Sequence, residues 1–177
     1  TGNYTYAWSN GATTEDISDL GAGTYSVTAT DENGCSVSIE VEITESDEMT
    51  IGATTSDYTG YGVSCNGASD GSIDVTVEGG TGNYTYAWSN GAFDGSTEED
   101  LTSVPAGVYT VVATDENGCS VSTVVIIIEA DAMTISATLS DYTGYGVSCN
   151  GASDGSIDIT VEGGTGVYTY DWLHGAD

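Results

Sequence analysis

The stretch SIDVTVEGGTGNYTYAWS, residues 72–89, decides the fold class of this chain. Apolar residues occupy every second position in its first part: Ile73, Val75 and Val77. Aromatic residues do the same in its second part: Tyr84, Tyr86 and Trp88. A period of two indicates strands that bury one face, and the glycine-rich turn between them joins two such strands.

Further segments with strand character lie on either side of this pair. They are residues 49–55, 61–64, a short piece around Leu101, 108–114 and 119–128. The sequence Asp-Glu-Asn-Gly at 115–118 predicts a hairpin, because Asn-Gly tolerates positive φ. About seven short strands without helical periodicity predict an all-β fold, a small antiparallel β-sandwich of the immunoglobulin-like type.

The chain is built of repeats. YGVSCNGASDGSID begins at Tyr61 and returns unchanged at Tyr145, a period of 84 residues. Self-similarity of this kind indicates a tandem array, here of sandwiches of about 84 residues. We expect a window on a longer array, with the C-terminal part of one repeat (1–46), a complete repeat (47–130) and the N-terminal part of a third (131–177).

The charge of the chain argues against several classes of function. It contains 28 Asp and Glu residues and no Lys or Arg, a formal net charge of −28. Such a surface repels phosphates, so no nucleic acid partner is expected. No stretch approaches the roughly 20 apolar residues of a membrane span, so we expect no membrane insertion. No pair of carboxylates, activated nucleophile or phosphate loop stands out, and we expect no enzymatic activity.

Two motifs carry a resemblance to a known family. SCNGASDGSIDVTVEGGTGNYTYAWSNG (64–91), together with the hairpin GTYSVTATDENGC (23–35), resembles the SprB-type repeat of giant Bacteroidota cell-surface adhesins. Those proteins are associated with gliding motility and exported by the type IX secretion system. The resemblance implies an extracellular, cell-surface location and a structural or adhesive role. It supplies no catalytic residue.

Two functions follow as hypotheses. The first is a structural or adhesive tandem repeat that acts as a stalk or fibre-forming unit, with neighbouring repeats or identical chains as partners. The alternative is a glycan-binding module whose partner is a surface polysaccharide. Tyr58 and Tyr61 in the glycine-rich SDYTGYG segment are its candidate ligand contacts, whereas Tyr84, Tyr86 and Trp88 are expected in the core.

Each period carries two cysteines, which favours disulfides in an extracellular protein. A bridge between Cys65 and Cys119 would close one repeat and leave Cys35 and Cys149 to pair outside the window. Bridges Cys35–Cys65 and Cys119–Cys149 would instead link neighbouring repeats. We favour the bridge within the repeat.

Calcium is the only cofactor that the sequence suggests. Acidic residues gather at the two junctions between repeats: Glu45, Asp47 and Glu48 at the first, Glu129 and Asp131 at the second. Carboxylate oxygens suit Ca²⁺, although no EF-hand spacing is present. Zinc is not expected, since His174 is the only histidine and no CxxC exists.

The last strand differs between the copies. Glu40, Glu42 and Thr44 on its outward face correspond to three apolar residues in the next copy: Val124, Ile126 and Ile128. An exposed apolar row on a chain this charged is typical of a contact surface. We expect it to mediate packing between repeats or between chains in a fibre.

Overall fold

The structure of the chain is a computed structural model that describes residues 2–90 and 95–173. Every secondary-structure element found in these residues is a β-strand. The strands belong to two compact units, Thr1–Glu48 (unit 1) and Met49–Asp177 (unit 2). Unit 1 contains β1 (Thr5–Trp8), β2 (Gly23–Thr30) and β3 (Ser36–Ile43). Unit 2 contains β4 (Thr50–Thr55), β5 (Gly71–Glu78), β6 (Thr85–Ser89), β7 (Leu101–Val104), β8 (Gly107–Thr114), β9 (Ser120–Ile127), β10 (Thr134–Leu139) and β11 (Ile157–Glu162).

Strands β4 to β9 form a complete sandwich of two antiparallel sheets. One sheet has the strand order β4-β5-β7 and the other β6-β8-β9. These orders are those of strands A, B, E and C, F, G in the immunoglobulin fold. The predicted all-β, immunoglobulin-like fold is therefore confirmed.

The core lies between the inner faces of the two sheets. Its buried residues are Val63, Ile73, Val75, Trp88, Leu101, Val104, Tyr109, Val111, Val125 and Ile127. Asp74, Thr76 and Glu78 alternate with the core residues of β5 and are exposed. The period-two pattern therefore identified the buried face of this strand correctly, and Trp88 is a core residue as predicted.

Two aromatic residues of the core also make polar bonds. Trp88 donates its Nε1–H to the carbonyl of Glu98, 2.8 Å away. Tyr109 donates its hydroxyl to the carbonyl of Pro105, also at 2.8 Å. The second bond is the tyrosine corner of immunoglobulin-like domains, and it fixes the connection that leads from β7 into β8.

One predicted strand is absent. Residues 61–64 form no strand; instead Tyr58 and Tyr61 make an isolated bridge. The turn between them runs through Thr59 and Gly60, both with positive φ (55° and 95°). Such a tight turn reverses the chain before a strand can extend, so the described part of the sandwich has the six strands β4 to β9.

Unit 1 contains one sheet of the same kind, with strand order β1-β2-β3. Its register matches that of β6-β8-β9, since Gly23 pairs with Ile43 as Gly107 pairs with Ile127. Its inner face is open. Val41 is 49% exposed, whereas its counterpart Val125 in the sandwich is 8% exposed.

The last part of unit 2 is a hairpin of β10 and β11, whose register matches that of β4 and β5. Its inner face is also open. Ile157 is 55% exposed, whereas its counterpart Ile73 is 1% exposed.

Replacing Tyr109 by Phe tests the corner. The variant keeps the buried ring but loses the bond to Pro105, so we expect the free energy of unfolding of the sandwich to fall by about 1 kcal/mol. Tyr25→Phe removes the equivalent bond, from Tyr25 to Gly21, in unit 1 and should leave the sandwich transition unchanged. Urea unfolding followed by tryptophan fluorescence measures both, and equal stability of Tyr109→Phe and wild type would contradict the assignment.

Candidate functional site

The loop between β4 and β5, residues 56–70, is held by its own side chains. The Ser56 hydroxyl donates to the carbonyl of Gly62 at 2.6 Å and accepts the N–H of Ser72 at 2.9 Å. Asp70 accepts the N–H of Ser64 at 3.0 Å, and these hydrogen bonds from Ser64 lower the pKa of Asp70. The loop is therefore a fixed structure that can present groups to a neighbour.

The same bonds recur one period later. Ser140 donates to Gly146 at 2.6 Å and accepts from Ser156 at 2.8 Å. Asp154 accepts from Ser148 at 3.0 Å, which again lowers the pKa of its carboxyl group. The loop after β10 thus has the same internal structure, although the hairpin that carries it has an open inner face.

Residues 128–133, called the joint from here on, connect the sandwich to β10. The N–H of Gly62 donates to the carbonyl of Ile128 at 2.9 Å. The side-chain amide of Asn66 donates to the carbonyl of Ala130, also at 2.9 Å. Gly67 donates its N–H to the Glu129 carboxylate at 2.6 Å. With Ala130 buried, the first half of the joint is fastened to the sandwich.

The second half of the joint is fastened to the following hairpin. Gly164 donates its N–H to the carbonyl of Asp131 at 2.8 Å. A Cβ built on Gly163 would lie 2.2 Å from the carbonyl oxygen of Ala132, so only glycine fits this approach. Gly163 also has positive φ, 79°, a second reason for glycine. Residues 128–131 of the joint therefore each have a hydrogen-bond partner on one side or the other.

Asp115 organises the opposite end of the sandwich. Its carboxylate accepts the N–H groups of Asn117 at 3.0 Å and Cys119 at 2.8 Å, which close the β8–β9 hairpin. The other oxygen accepts the N–H and hydroxyl of Thr81, at 2.9 and 3.0 Å. Burial alone would raise the pKa of Asp115, but the bonds from Cys119 and Thr81 outweigh it and lower the pKa. Asp115 thereby ties the hairpin to the turn between β5 and β6.

The apolar row predicted on the last strand is exposed. Val124 and Ile126 are each 60% exposed and Ile128 51%. Val108 lies opposite Ile126 in the register and is also exposed, so the row widens into a patch across two strands. We call these four residues the outer patch. Packing against another repeat or chain stays a prediction.

The predicted bridge between Cys65 and Cys119 is not formed; all four cysteines are free and exposed. Cys65 precedes the start of β5, while Cys119 lies beside Thr81, beyond the end of β5. The eight residues of β5 span roughly 25 Å, far more than the about 7 Å between Cα atoms that a disulfide allows. The alternating strand pattern could not reveal this separation because it does not fix which loops share an end.

The acidic residues of the joint do not converge. Among residues 2–90 and 95–173 no group of three or more His, Cys, Asp or Glu could hold a metal ion. Glu129, which was predicted as a calcium ligand, instead accepts the Gly67 N–H. Asp131 takes part in the joint through its carbonyl group. Calcium at these residues and at Glu45, Asp47 and Glu48 stays a prediction, and His174 lies outside the described residues.

The tyrosines proposed for glycan contact have structural partners. Tyr58 donates its hydroxyl to the carbonyl of Asp70 at 3.2 Å. Tyr61 is half-buried, and its backbone pairs with that of Tyr58. Glycan binding stays a prediction, and these contacts assign both residues to the β4–β5 loop itself.

One contact of the joint was missed by sequence reasoning. Asn66 and Ala130 meet across 64 residues of chain. The only available signal was the unchanged return of Asn66 within the repeated SCNGASD motif, as Asn150. A polar residue in a glycine-rich loop reads as a turn former, so its long-range role was hidden.

Asp115→Asn tests the charged anchor of the β8–β9 hairpin. The pKa of Asp115 is lower in the folded state than its ordinary value of 3.8, so the ionised carboxylate stabilises the folded protein above that pH. This stabilisation is lost as the pH falls through the folded-state pKa. The variant should therefore unfold at lower urea than wild type near neutral pH, and the gap should narrow as the pH falls through the folded-state pKa of Asp115. Asp74→Asn, an exposed charge removal on β5, is the control. A gap that is the same at every pH would contradict the role of the charge.

Comparison with known proteins adds family information to this geometry. The family model described as SprB repeat matches residues 63–93 and 147–177. Among solved structures, the chain is similar to the "Structure of amphioxus IgVJ-C2 molecule", with 15% identity over 70% of this chain and 87% of that one. The TM-score of this likeness is 0.36. No curated protein matches the chain at a significant level. None of the described residues belongs to a helix that could cross a membrane.

Proposed function

We propose that this chain, which matches the SprB repeat model at residues 63–93 and 147–177, is a stiff structural segment of a long adhesin or filament outside the cell. Its work is mechanical: sandwiches joined end to end hold other parts of the surface protein at a distance. The relation of SprB repeats to gliding-motility adhesins supports this extracellular location.

The observation that carries the proposal is the joint. A freely flexible linker would be rich in residues without fixed partners. Here Ile128, Glu129 and Ala130 are bonded to the β4–β5 loop before them, and Asp131 to the turn after them. The sandwich therefore continues into the hairpin of β10 and β11 through a connection whose residues have defined hydrogen-bond partners.

The chemistry of the chain supports a mechanical over a catalytic role. No Lys or Arg is present, which removes the usual cationic groups of acid–base and phosphate chemistry. The buried carboxyl group, that of Asp115, is saturated with donors from the backbone and Thr81 and is not available for proton transfer. A net charge of −28 keeps an elongated array solvated and discourages indiscriminate clumping.

Asn66→Ala tests the stiffness of the joint. The variant removes the bond to Ala130, so we expect a wider distribution of interatomic distances in small-angle X-ray scattering of the whole chain. Asn150→Ala is the matched control, because Asn150 occupies the same place in the next loop and donates to no group among the described residues. Identical distance distributions for Asn66→Ala and wild type would count against a stiff connection.

The outer patch is proposed as the lateral contact when arrays bundle into fibres. Val124→Glu with Ile126→Glu restores the residues of the first copy, Glu40 and Glu42, and places two charges in the patch. We expect electron microscopy to show thinner threads while the axial spacing stays at about 35–45 Å per repeat. Lateral contact is lost because like charges would then face each other across an apolar interface.

The control for the patch adds the same charge elsewhere. Thr76→Glu with Thr102→Glu places two carboxylates on the exposed face of the other sheet and should leave fibre width unchanged. Bundles of wild-type width from the Val124→Glu, Ile126→Glu variant would remove the outer patch from the proposal while leaving the stiff joint untouched.

A further inference from the structure

The outward face of the β6-β8-β9 sheet in the complete sandwich carries no charged side chain. None of the residues of these three strands is Asp or Glu, and their outward positions hold Ser, Thr, Ala, Val and Ile. The outward face of the opposite sheet, by contrast, carries Asp74 and Glu78 on β5. A chain with 28 carboxylates and no Lys or Arg thus keeps one face of its sandwich free of charge.

The two copies of this sheet differ mainly on that face. Val108 and Val112 of β8 replace threonines of β2, and Val124 and Ile126 of β9 replace glutamates of β3. The remaining outward difference in these strands, Thr for Ser, adds a methyl group. On their inward faces a single residue differs, Thr123. The second copy is therefore altered where it faces outward, and each alteration makes that face more apolar.

The loss of carboxylates indicates the charge of the partner. A basic partner would be attracted by Glu at positions 124 and 126, so the apolar residues found there would weaken its binding. An acidic partner is repelled by such carboxylates, and their loss removes the repulsion. This chain, with a net charge of −28, is itself an acidic partner.

The chemistry of the face favours another sheet over a carbohydrate. No aromatic, amide or carboxylate side chain points outward from β6, β8 or β9. Small-molecule sites are concave and combine apolar walls with a few placed polar groups, whereas this face is the side of an extended sheet. Two such faces fit each other, because stacked sheets interdigitate their side chains about 10 Å apart.

We infer that the outer patch pairs face to face with the outer patch of a second copy of this chain, with both chains running in the same direction. The inference rests on the lateral contact proposed above and specifies its partner. The direction follows from the position of the apolar residues. Val108 and Ile126 lie at the end of the sheet that leads into the joint, whereas Thr114 and Ser120 form the opposite end. Full overlap of two faces brings apolar residues onto apolar residues when like ends coincide.

A face that pairs with itself makes a closed contact. In such an isologous contact each copy offers the same surface, and no free patch is left once two copies have met. The corresponding face of unit 1 has Glu40 and Glu42, whose charges would repel an equal face. Association through the outer patch should therefore stop at two chains.

The size of the face sets the strength of the pair. Three strands about 4.8 Å apart, of up to eight residues at about 3.3 Å each, cover on the order of 400 Å². A standard interface buries about 800 Å² on each partner, so one outer patch gives a weak and reversible pair. Several such patches along an array would strengthen one another by raising the effective concentration.

Analytical ultracentrifugation of the whole chain over a wide concentration series tests the pairing. The wild type should approach twice the chain mass of 18.0 kDa at high concentration, while Val124→Glu with Ile126→Glu should stay at 18.0 kDa. The control Thr76→Glu with Thr102→Glu adds the same charge to the other sheet and should associate like wild type.

Added salt distinguishes a second copy from a basic partner. Asp57 lines a surface groove together with Ile126 and Ile128, so the rims of two paired patches carry charge of one sign. Salt screens this repulsion and should strengthen the pair, whereas it would weaken the attraction of a basic partner.

Three results of these measurements would overturn the inference. The first is a wild type that keeps the mass of one chain at every concentration. The second is a patch variant that associates like the control. The third is growth beyond two chains that the patch variant abolishes, because a self-paired face cannot extend.

Cross-linking tests the direction of the two chains. All four cysteines are exposed, so they can be replaced by serine without touching the core, and Ser120→Cys then places one thiol on the outward face. Chains that run in the same direction bring position 120 of both copies within roughly 10–15 Å, and a flexible bis-maleimide should link them. Chains that run in opposite directions separate these positions by most of the length of β9, about 25 Å.

The matched control is Ser36→Cys, which occupies the same place in unit 1 beside Glu40 and Glu42 and should not link. Adding Val124→Glu with Ile126→Glu to Ser120→Cys should abolish the link. A Ser120→Cys chain that associates without linking would overturn the paired arrangement, while the lateral contact and the stiff joint of the proposed function would stand. A link that forms equally at position 36 would also overturn it.

Discussion

The constraint on which the structure depends is that neither sheet of the sandwich can cover its own apolar face. Ile73 on one sheet and Trp88 on the other are buried only because the two sheets face each other. Burying a large apolar side chain is worth about 1.5–3 kcal/mol, so the core residues together dominate the stability of the repeat. The sheet of unit 1 and the hairpin of β10 and β11 show the same layers without that cover, and their hydrogen-bond registers are unchanged.

The sequence predicts the layers well and their connections poorly. The alternation at Ile73, Val75 and Trp88 identified strands and buried faces, because that pattern reflects local geometry. The alternation carries no information about the order of the strands in a sheet. For that reason Cys65 and Cys119 were assigned to one bridge although they lie at opposite ends of β5. The bond from Asn66 to Ala130 was missed for the same reason, since it depends on which loop meets the end of β9.

The carboxylates of this acidic chain are either exposed to water or saturated with hydrogen-bond donors. Carboxylates on the outward faces of strands, such as those of Asp74 and Glu78, stay in water and cost little. Asp115 is the described carboxylate that is buried, and it accepts hydrogen bonds from Thr81, Asn117 and Cys119. A buried charge without donors would be strongly destabilising; Asn117 and Cys119 supply donors from the hairpin itself, and Thr81 supplies them from the turn between β5 and β6. The chain thus combines a charge of one sign with a closed core.

Near-identical repeats allow a sheet to pair with the covering hairpin of the wrong repeat, and the joint favours the correct one. Residues 61–74 and 145–158 are the same, so an inner sheet face cannot distinguish its own covering hairpin from that of another repeat. Contacts such as Asn66 to Ala130 join residues 64 positions apart, and contacts of such separation slow folding because the entropy of loop closure must be overcome first. Only the connection in the chain can favour the correct hairpin, by raising its effective concentration. In the sandwich, Asn66 and Gly67 of the covering layer are bonded to the chain that leaves β9, so the local pairing is reinforced at the point where the next repeat begins.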